Sequence, residues 1–274
     1  MAVVAISRKV GSYGEEIAAM AAAGLGYRLV GRDEVHRLAQ ACDADFKRAC
    51  SMFEAEESAG GLWERLAFGD PAHAALFASL NYELASADNV VLVGRGAQIV
   101  LKDIPGVFKV RVVAPLALRV ERLMALQGLT RDQAHEYVTR HDDQRRALIQ
   151  SVFHADLSDW TLYDLMLNTS GMTKEAAAEL IVQAVKLMPA PEDPAGLKRT
   201  LTDLAFAKRL ESVIKRKIVT SGFHDIAVSA DSGAVVLAGL VADKRSKERA
   251  AEIARSYPGV TAVDNQLKYT DLSF

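Results

Sequence analysis

Ten consecutive residues, Ser7-Arg8-Lys9-Val10-Gly11-Ser12-Tyr13-Gly14-Glu15-Glu16, bring together glycines, hydroxyls, cations and carboxylates. A loop of this composition between a strand and a helix aims several backbone N–H groups at one point, with the positive end of the helix dipole behind them, and so suits phosphate. The letters depart from a full phosphate loop, G-x-x-x-x-G-K-[ST], because Gly14 and Glu15 stand where the lysine and the hydroxyl residue would be. Taken alone, the segment is better described as an ordinary strand-to-helix turn. Arginine is the natural side chain for gripping phosphate from outside such a loop. The candidates are Arg32 and Arg37, Arg95 between Gly94 and Gly96, and the group Arg140, Arg145 and Arg146. Each also has a plain structural use, since Arg95 after a strand can pair with an acidic helix residue and Asp142 and Asp143 can neutralise the last group.

The six histidines are scattered, and no Ser-His-Asp set, His-x-x-x-His pair or carboxylate pair of convincing context occurs. Cys42 and Cys50 have no Cys or His neighbour at zinc-site spacing, and they read as reduced structural thiols. No metal-ligating set is therefore expected.

The elements that would position these residues follow from hydrophobic patterning. Val3 to Ile6 is a short β-branched run, and Glu15 to Leu25 behind the loop has helical character. Val90 to Val93 and Lys109 to Val113 are two further buried-strand runs, the latter closed by Ala114-Pro115 before a helix over Leu116 to Leu126. Thr130 to Ile149 is a charged helix, Tyr163 to Asn168 another strand, and Thr173 to Leu187 a closing amphipathic helix. Strands alternating with helices predict a parallel sheet covered on both faces. Glu34 to Ala87 is helical and interrupts that order, which predicts an inserted helical lid.

Pro189-Ala190-Pro191-Glu192-Asp193-Pro194 reads as a stiff polar connection. The expected division is 1–188 for the first domain, 189–200 for a Pro-rich linker and 201–274 for the second. Helix Leu201 to Val219, strands Ile226 to Ala230 and Ala234 to Leu240, helix Lys244 to Tyr257 and strand Ala262 to Tyr269 give the second an α-β-β-α-β order.

Composition agrees with two folded domains: of 274 residues, 50% are hydrophobic and 25% charged. Apolar runs are too short to span a bilayer, and Met1 to Ile6 reads as a first strand instead of a signal, so a cytoplasmic location is expected. From Leu197 onward there are 13 Lys and Arg against 9 Asp and Glu, and before it 20 against 26. The acidic first part argues against a nucleic-acid binder.

Several segments together resemble the cytidylate kinase-like family. They are Ile6-Ser7-Arg8 with Gly11-Ser12, Val91-Leu92-Val93-Gly94-Arg95, and Val112-Val113-Ala114-Pro115 with Arg119 and Arg122. Asp143 with Arg146, and Tyr163-Asp164-Leu165 with Leu167-Asn168-Thr169-Ser170, complete the set. The resemblance implies an α/β fold, a parallel-sheet P-loop kinase-like domain with helical insertion and lid. It implies phosphoryl transfer from ATP to CMP or a related nucleoside monophosphate with Mg²⁺. Gly11 to Gly14 would hold the donor phosphates, with Ser7, Arg8, Lys9, Ser12, Tyr13 and Glu15 among the phosphate- or nucleotide-binding residues, and Arg95 would meet the acceptor phosphate. Arg32 and Arg37 would lie on the acceptor side, and Arg140, Arg145 and Arg146 would form a lid. Two departures are visible: the family tends to keep a basic residue just after the loop glycines, where this chain has Glu15 and Glu16, and an acidic residue follows the Gly-Arg pair in cytidylate kinases, where this chain has Gly96. An active kinase, a catalytically silent nucleotide sensor and an adaptor on a kinase fold all stand at this point.

Ile226 to Ala230, Val235 to Val241, Arg249 to Ala254 and Pro258 to Leu267 resemble a BON domain, with Gly239 inside a strand and the Gly259-Val260 turn before the last one. That resemblance implies a non-catalytic module taking a phospholipid surface or a protein partner, or mediating homo-oligomers.

Overall fold

The computed structural model describes residues 2–31, 71–218 and 225–269. Arg32, Arg37, Cys42, Cys50 and most of the helical insertion expected from Glu34 onward lie outside the described residues. The chain divides into two compact units, one of residues up to 68 with 87–194, the other of 69–86 with 195 onward. No helix among the described residues is long and apolar enough to cross a membrane.

The first unit is built on five parallel strands in the order β2-β3-β1-β4-β5. These are β1 (Val3–Arg8), β2 (Arg28–Val30), β3 (Val90–Val93), β4 (Val107–Val113) and β5 (Leu165–Asn168). β1 lies at the centre with Val3 to Ile6 all buried, as a strand covered on both faces requires. Helix α1 (Gly14–Leu25) packs against α6 (Lys174–Lys186) through Ile17, Ala18, Ala21, Ile181 and Val182, which join Val4, Ile6, Val91 and Val110 in one core. On the way lie the short α3 (Ala97–Val100), α4 (Leu116–Gln127) and α5 (Arg131–Phe153). Thr130 opens α5 with a capping box, its hydroxyl accepting from Gln133 N and the Gln133 side chain accepting from Thr130 N.

The other unit contains α7 (Pro194–Ile218), strands β6 (Asp225–Asp231) and β7 (Ala234–Val241), α8 (Lys244–Arg255), and β8 (Ala262–Asn265) and β9 (Lys268–Tyr269). β6 is antiparallel to β7, while β8 and β9 both run parallel to it. The final strand expected over Ala262 to Tyr269 is thus two short ones. Between the two registers stands Gly239 of β7, at φ 118°, where a Cβ would lie 1.9 Å from the Asp225 carbonyl oxygen on β6. Pairing of β7 with the last segment resumes only past that irregularity, at Leu240 with Lys268.

Two features differ from the sequence expectation. Helix α7 begins at Pro194, inside the stretch read as linker, because proline suits the first turn of a helix, where an N–H has no intrahelical partner anyway. Helix α2 (Pro71–Ser86), expected within the insertion of the first domain, clusters with α7 instead. The buried Ser79 hydroxyl donates to the Ala205 carbonyl at 2.9 Å, and Arg209 pairs with Glu83.

Candidate functional site

Between β1 and α1 the backbone makes a tight loop. Gly11 (φ 74°) and Tyr13 (φ 63°) are both left-handed, and a Cβ on Gly11 would lie 2.8 Å from the Arg119 carbonyl oxygen. Ser12 is fully buried, and its hydroxyl donates inward, 2.7 Å from the Lys9 and 3.2 Å from the Val112 carbonyl oxygen. Tyr13 caps α1 with no side-chain hydrogen bond, so the N–H groups of Gly14, Glu15 and Glu16 open the helix without a protein acceptor among the described residues.

Three arginines hold the loop from outside, each donating to one of its carbonyls. Arg145 reaches Arg8 O at 2.8 Å, Arg119 reaches Val10 O at 3.3 Å, and Arg122 reaches Gly11 O at 3.2 Å. Arg122 also donates to Thr169 and lies over the Tyr13 ring, 4.0 Å from its centroid. Arg119, only 3% exposed, forms a two-pronged pair with Asp142 at 3.2 and 2.9 Å, and Lys9 Nζ stands 3.4 Å from the same carboxylate. With its carbonyls drawn towards these cations, the loop keeps its N–H groups for an acceptor from elsewhere.

Two clefts of about 220 Å³ each meet at Arg8, Lys9 and Arg145. One is cationic: besides those three it is lined by Arg111 and Arg146, with Asp142 and Asp156 as the carboxylates. Asp156 is held below the usual carboxylate range by the hydroxyl and then the N–H of Ser158. This cleft lies where β1 and β4 send their connections in opposite directions, the place in an open parallel sheet at which ligands settle. Arg111 is buried beside Ser7, to whose hydroxyl it donates, and its guanidinium carbon is 5.7 Å from the Tyr163 ring centroid. Burial is the main influence on it and lowers its pKa, but an arginine so placed stays charged at neutral pH.

Of the residues singled out from sequence, Ser7, Arg8, Lys9, Gly11, Ser12, Tyr13, Gly14 and Glu15 come together around the loop, with Arg145 and Arg146 on the cleft wall. Arg8 and Lys9 do not stand clear to supply the missing loop charge. Arg8 Nε donates to Glu15 Oε1 at 2.7 Å, and Lys9 faces Asp142. Arg140 is exposed on α5 and lines neither cleft, being more than a helical turn from Arg145. Arg95 (φ 58°) turns its guanidinium to the Val30 and Gly31 carbonyls at 3.3 and 2.7 Å, beyond the end of β2, and it too lines neither cleft. Its neighbour Gly96 is covered by Phe153, whose ring carbon would meet a Cβ at 2.5 Å. Arg32 and Arg37 lie outside the described residues. The sequence reading missed Arg111, for which an arginine alternating with valines near the end of a buried strand was the available signal, and it assigned Asp142 to the Arg140 to Arg146 group, whereas Asp142 pairs with Arg119 and Lys9.

The loop hydroxyl of Ser12 is engaged by backbone, and no group of three or more His, Cys, Asp or Glu able to hold a metal by itself occurs among the described residues, so a Mg²⁺ ion at this loop would be held chiefly by the phosphates it accompanies.

A model of the cytidylate kinase-like family matches residues 3–171, more than half of the chain and the whole of the loop and cleft. The chain belongs to the cytidylate kinase-like family. A BON domain matches residues 207–271, so the other unit contains that domain. Among curated relatives, the cytidylate kinase of Pyrococcus horikoshii is 28% identical over 117 residues, 43% of this chain and 59% of that protein. The cytidylate kinase of Methanocaldococcus jannaschii is 29% identical over 105 residues, 38% of this chain and 59% of that one. A uronate isomerase of Corynebacterium glutamicum is 32% identical over 99 residues, 36% of this chain but 19% of the isomerase. The chain therefore spans about three fifths of these kinases and a fifth of the isomerase. An uncharacterised protein from Eubacterium ventriosum shares the fold, with a TM-score of 0.53 at 17% identity over 68% of this chain and 99% of that one.

Proposed function

We propose that this cytidylate kinase-like unit binds a nucleotide with its phosphates on the Gly11 to Gly14 loop and transfers a phosphoryl group from ATP to CMP or a related nucleoside monophosphate. One observation carries the reading: Arg119, Arg122 and Arg145 tie the loop carbonyls, and Gly11, Tyr13, Gly14, Glu15 and Glu16 line a cleft that shares Arg8, Lys9 and Arg145 with the adjoining cationic one, where Arg111 and Arg146 stand. Phosphoryl transfer needs positioning and neutralisation of spread negative charge, with little covalent help, and donors fixed in advance supply both. In this reading the loop N–H groups hold the donor phosphates, Arg145 and Arg146 draw charge from the transferring group, and the cation accompanies ATP. Arg8 exchanges Glu15 for phosphate on binding.

A second reading, a catalytically silent nucleotide sensor whose BON domain takes a phospholipid surface or protein partner, is favoured by that same Arg8–Glu15 pair and by Phe153 over Gly96. Thermal unfolding in the presence of ATP, CMP and Mg²⁺, alone and combined, tests binding, since a ligand at about 100 times its dissociation constant adds about 2.7 kcal/mol of stability. Phosphorus NMR of ATP with CMP tests transfer. CDP formation is the expected result; stabilisation without CDP selects the sensor, and no stabilisation at millimolar ligand overturns both readings.

A further inference from the structure

Among the described residues three arginine or carboxylate side chains are buried: Arg111, Arg119 and Glu211. Arg119 has Asp142, and Glu211 has Lys208 and Lys215, as charges withdrawn from water require. Arg111, only 5% exposed on β4, has no such match. It forms no ion pair among the described residues, and its one hydrogen bond goes to the neutral hydroxyl of Ser7. Tyr163, whose ring centroid is 5.7 Å from the guanidinium carbon, donates its own hydroxyl to the Leu157 carbonyl oxygen at 3.1 Å. Both carboxylates of the cationic cleft are engaged elsewhere. Asp142 holds Arg119 and Lys9, and Asp156 accepts from the N–H and hydroxyl of Ser158 at 2.8 and 2.6 Å.

Arg111 donates to Ser7 through one nitrogen, which leaves the rest of its planar fork to the cleft it lines. Arg8, Lys9, Arg145 and Arg146 line the same cleft, five cations with Arg111 against two carboxylates. We infer that Arg111 is the seat of a compact oxyanion, a phosphate group either free or on a small monoester, which supplies the counter-charge that the protein itself withholds. Topology separates this seat from the acceptor side that the family resemblance implies. Arg111 and Met166 lie on β4 and β5, to one side of the central β1, whereas Arg95 follows β3 on the other. The loop glycines line the neighbouring cleft and not this one. Because Arg8, Lys9 and Arg145 border both clefts, an oxyanion on Arg111 repels phosphates on the loop and weakens ATP to a limit without displacing it. The inference stands whether or not the loop takes a nucleotide.

Urea unfolding of the full chain in orthophosphate, against chloride at equal ionic strength, tests it through the rise of the midpoint. The wild-type protein is expected to gain stability with orthophosphate, and Arg111→Met to bind it at least about tenfold more weakly, the scale of one charge-assisted hydrogen bond. In chloride alone Arg111→Met is expected to be at least as stable as the wild type, since an apolar side chain replaces an unmatched buried charge. Arg111→Lys keeps the charge without the fork, and a weakened response to orthophosphate is expected. Saturation with ATP and CMP is expected to leave part of the orthophosphate gain in the wild type. Phenyl phosphate distinguishes the sources: tighter binding than orthophosphate selects a monoester, equal or weaker binding the free ion. An orthophosphate gain equal in the wild type and Arg111→Met overturns the inference, and so does a gain that ATP and CMP abolish, which returns the cleft to the loop-bound ligands. If Arg111→Met does not fold, Arg111→Lys decides, and a response equal to that of the wild type overturns the seat. If ATP and CMP fail to bind while the Arg111-dependent gain persists, the nucleotide reading falls and this one stands.

Discussion

In the BON-containing unit the buried Glu211 carboxylate accepts from Lys208 at 2.7 Å, from Lys215 at 2.6 Å and from the Val228 N–H at 3.3 Å. In the kinase-like unit the buried Arg119 guanidinium pairs with Asp142 and also donates to the Ala114 and Val10 carbonyls. Both are charges removed from water and matched by partners, as burial demands. They differ in what lies beside them. Glu211 clamps α7 to β6 within the core of that unit and lines neither of the two clefts, whereas Asp142 forms part of a cleft wall and Arg119 carries the loop above it. A closed buried network contributes stability and definition; one that borders a cleft also fixes backbone donors for something that arrives later. Substitutions in the two networks should therefore separate stability from binding.

The largest effect is expected for Asp142→Ala. It leaves Arg119 buried without its counter-charge and frees Lys9, and loss of one partner of a buried pair costs roughly 3 kcal/mol, read as a lower urea midpoint. Removing a carboxylate from a cationic cleft would by field alone tighten phosphate binding. If the role of Asp142 is to hold the loop through Arg119, tripolyphosphate binding weakens instead. A gain in affinity would show that its charge matters more than its contacts.

Glu211→Ala comes next, at about 2 kcal/mol, because Lys208 and Lys215 are themselves partly exposed and recover water once released. Nucleotide affinity at a temperature where the variant is folded should match that of the wild type. An altered affinity would mean that the closed network is not separate from the site, and the contrast between the two units would lose its meaning.

The contrast was partly legible in the sequence. The valine-rich runs of β1, β3 and β4 announced a parallel sheet because strands buried on both faces cannot alternate, and the charged stretch from Thr130 announced α5, whose start the structure fixes with the Thr130–Gln133 capping box. The loop residues and Arg145 with Arg146 were found as a group because their spacing and context are local. What escaped is long-range or conformational. Three residues of β2 carry too little pattern to announce a strand, and the pairing of α2 with α7 joins Ser79 to Ala205 across 126 positions. That the Arg95 guanidinium turns towards the Val30 and Gly31 carbonyls depends on a left-handed backbone between two glycines that the letters Gly-Arg-Gly permit but do not require. Arg119 and Arg122 stood out only as family markers. Their three-residue spacing puts both on one helix face, but nothing in it says that this face receives the loop carbonyls.

The smallest effect on stability, and the sharpest on binding, is expected for Glu15→Gln. Glu15 is 60% exposed, and its pair with Arg8 spans 2.5 Å at the mouth of the loop, so removal of the charge should change stability by less than about 0.5 kcal/mol. Arg8, whose side chain is 17% exposed, then faces the cationic cleft released from Glu15. Tripolyphosphate and ATP should bind severalfold more tightly than to the wild type, and the gain should shrink as salt is raised, because the charges concerned border solvent. Calorimetric titrations at low and high salt measure both quantities. Should Glu15 hold Arg8 in a position that phosphate itself needs, the same substitution would weaken binding at every salt concentration, and the pair would be part of the site instead of its lock. No change in affinity would mean that phosphate does not reach Arg8 at all, and the loop would then bind its ligand through backbone N–H groups and the arginines on α4 and α5.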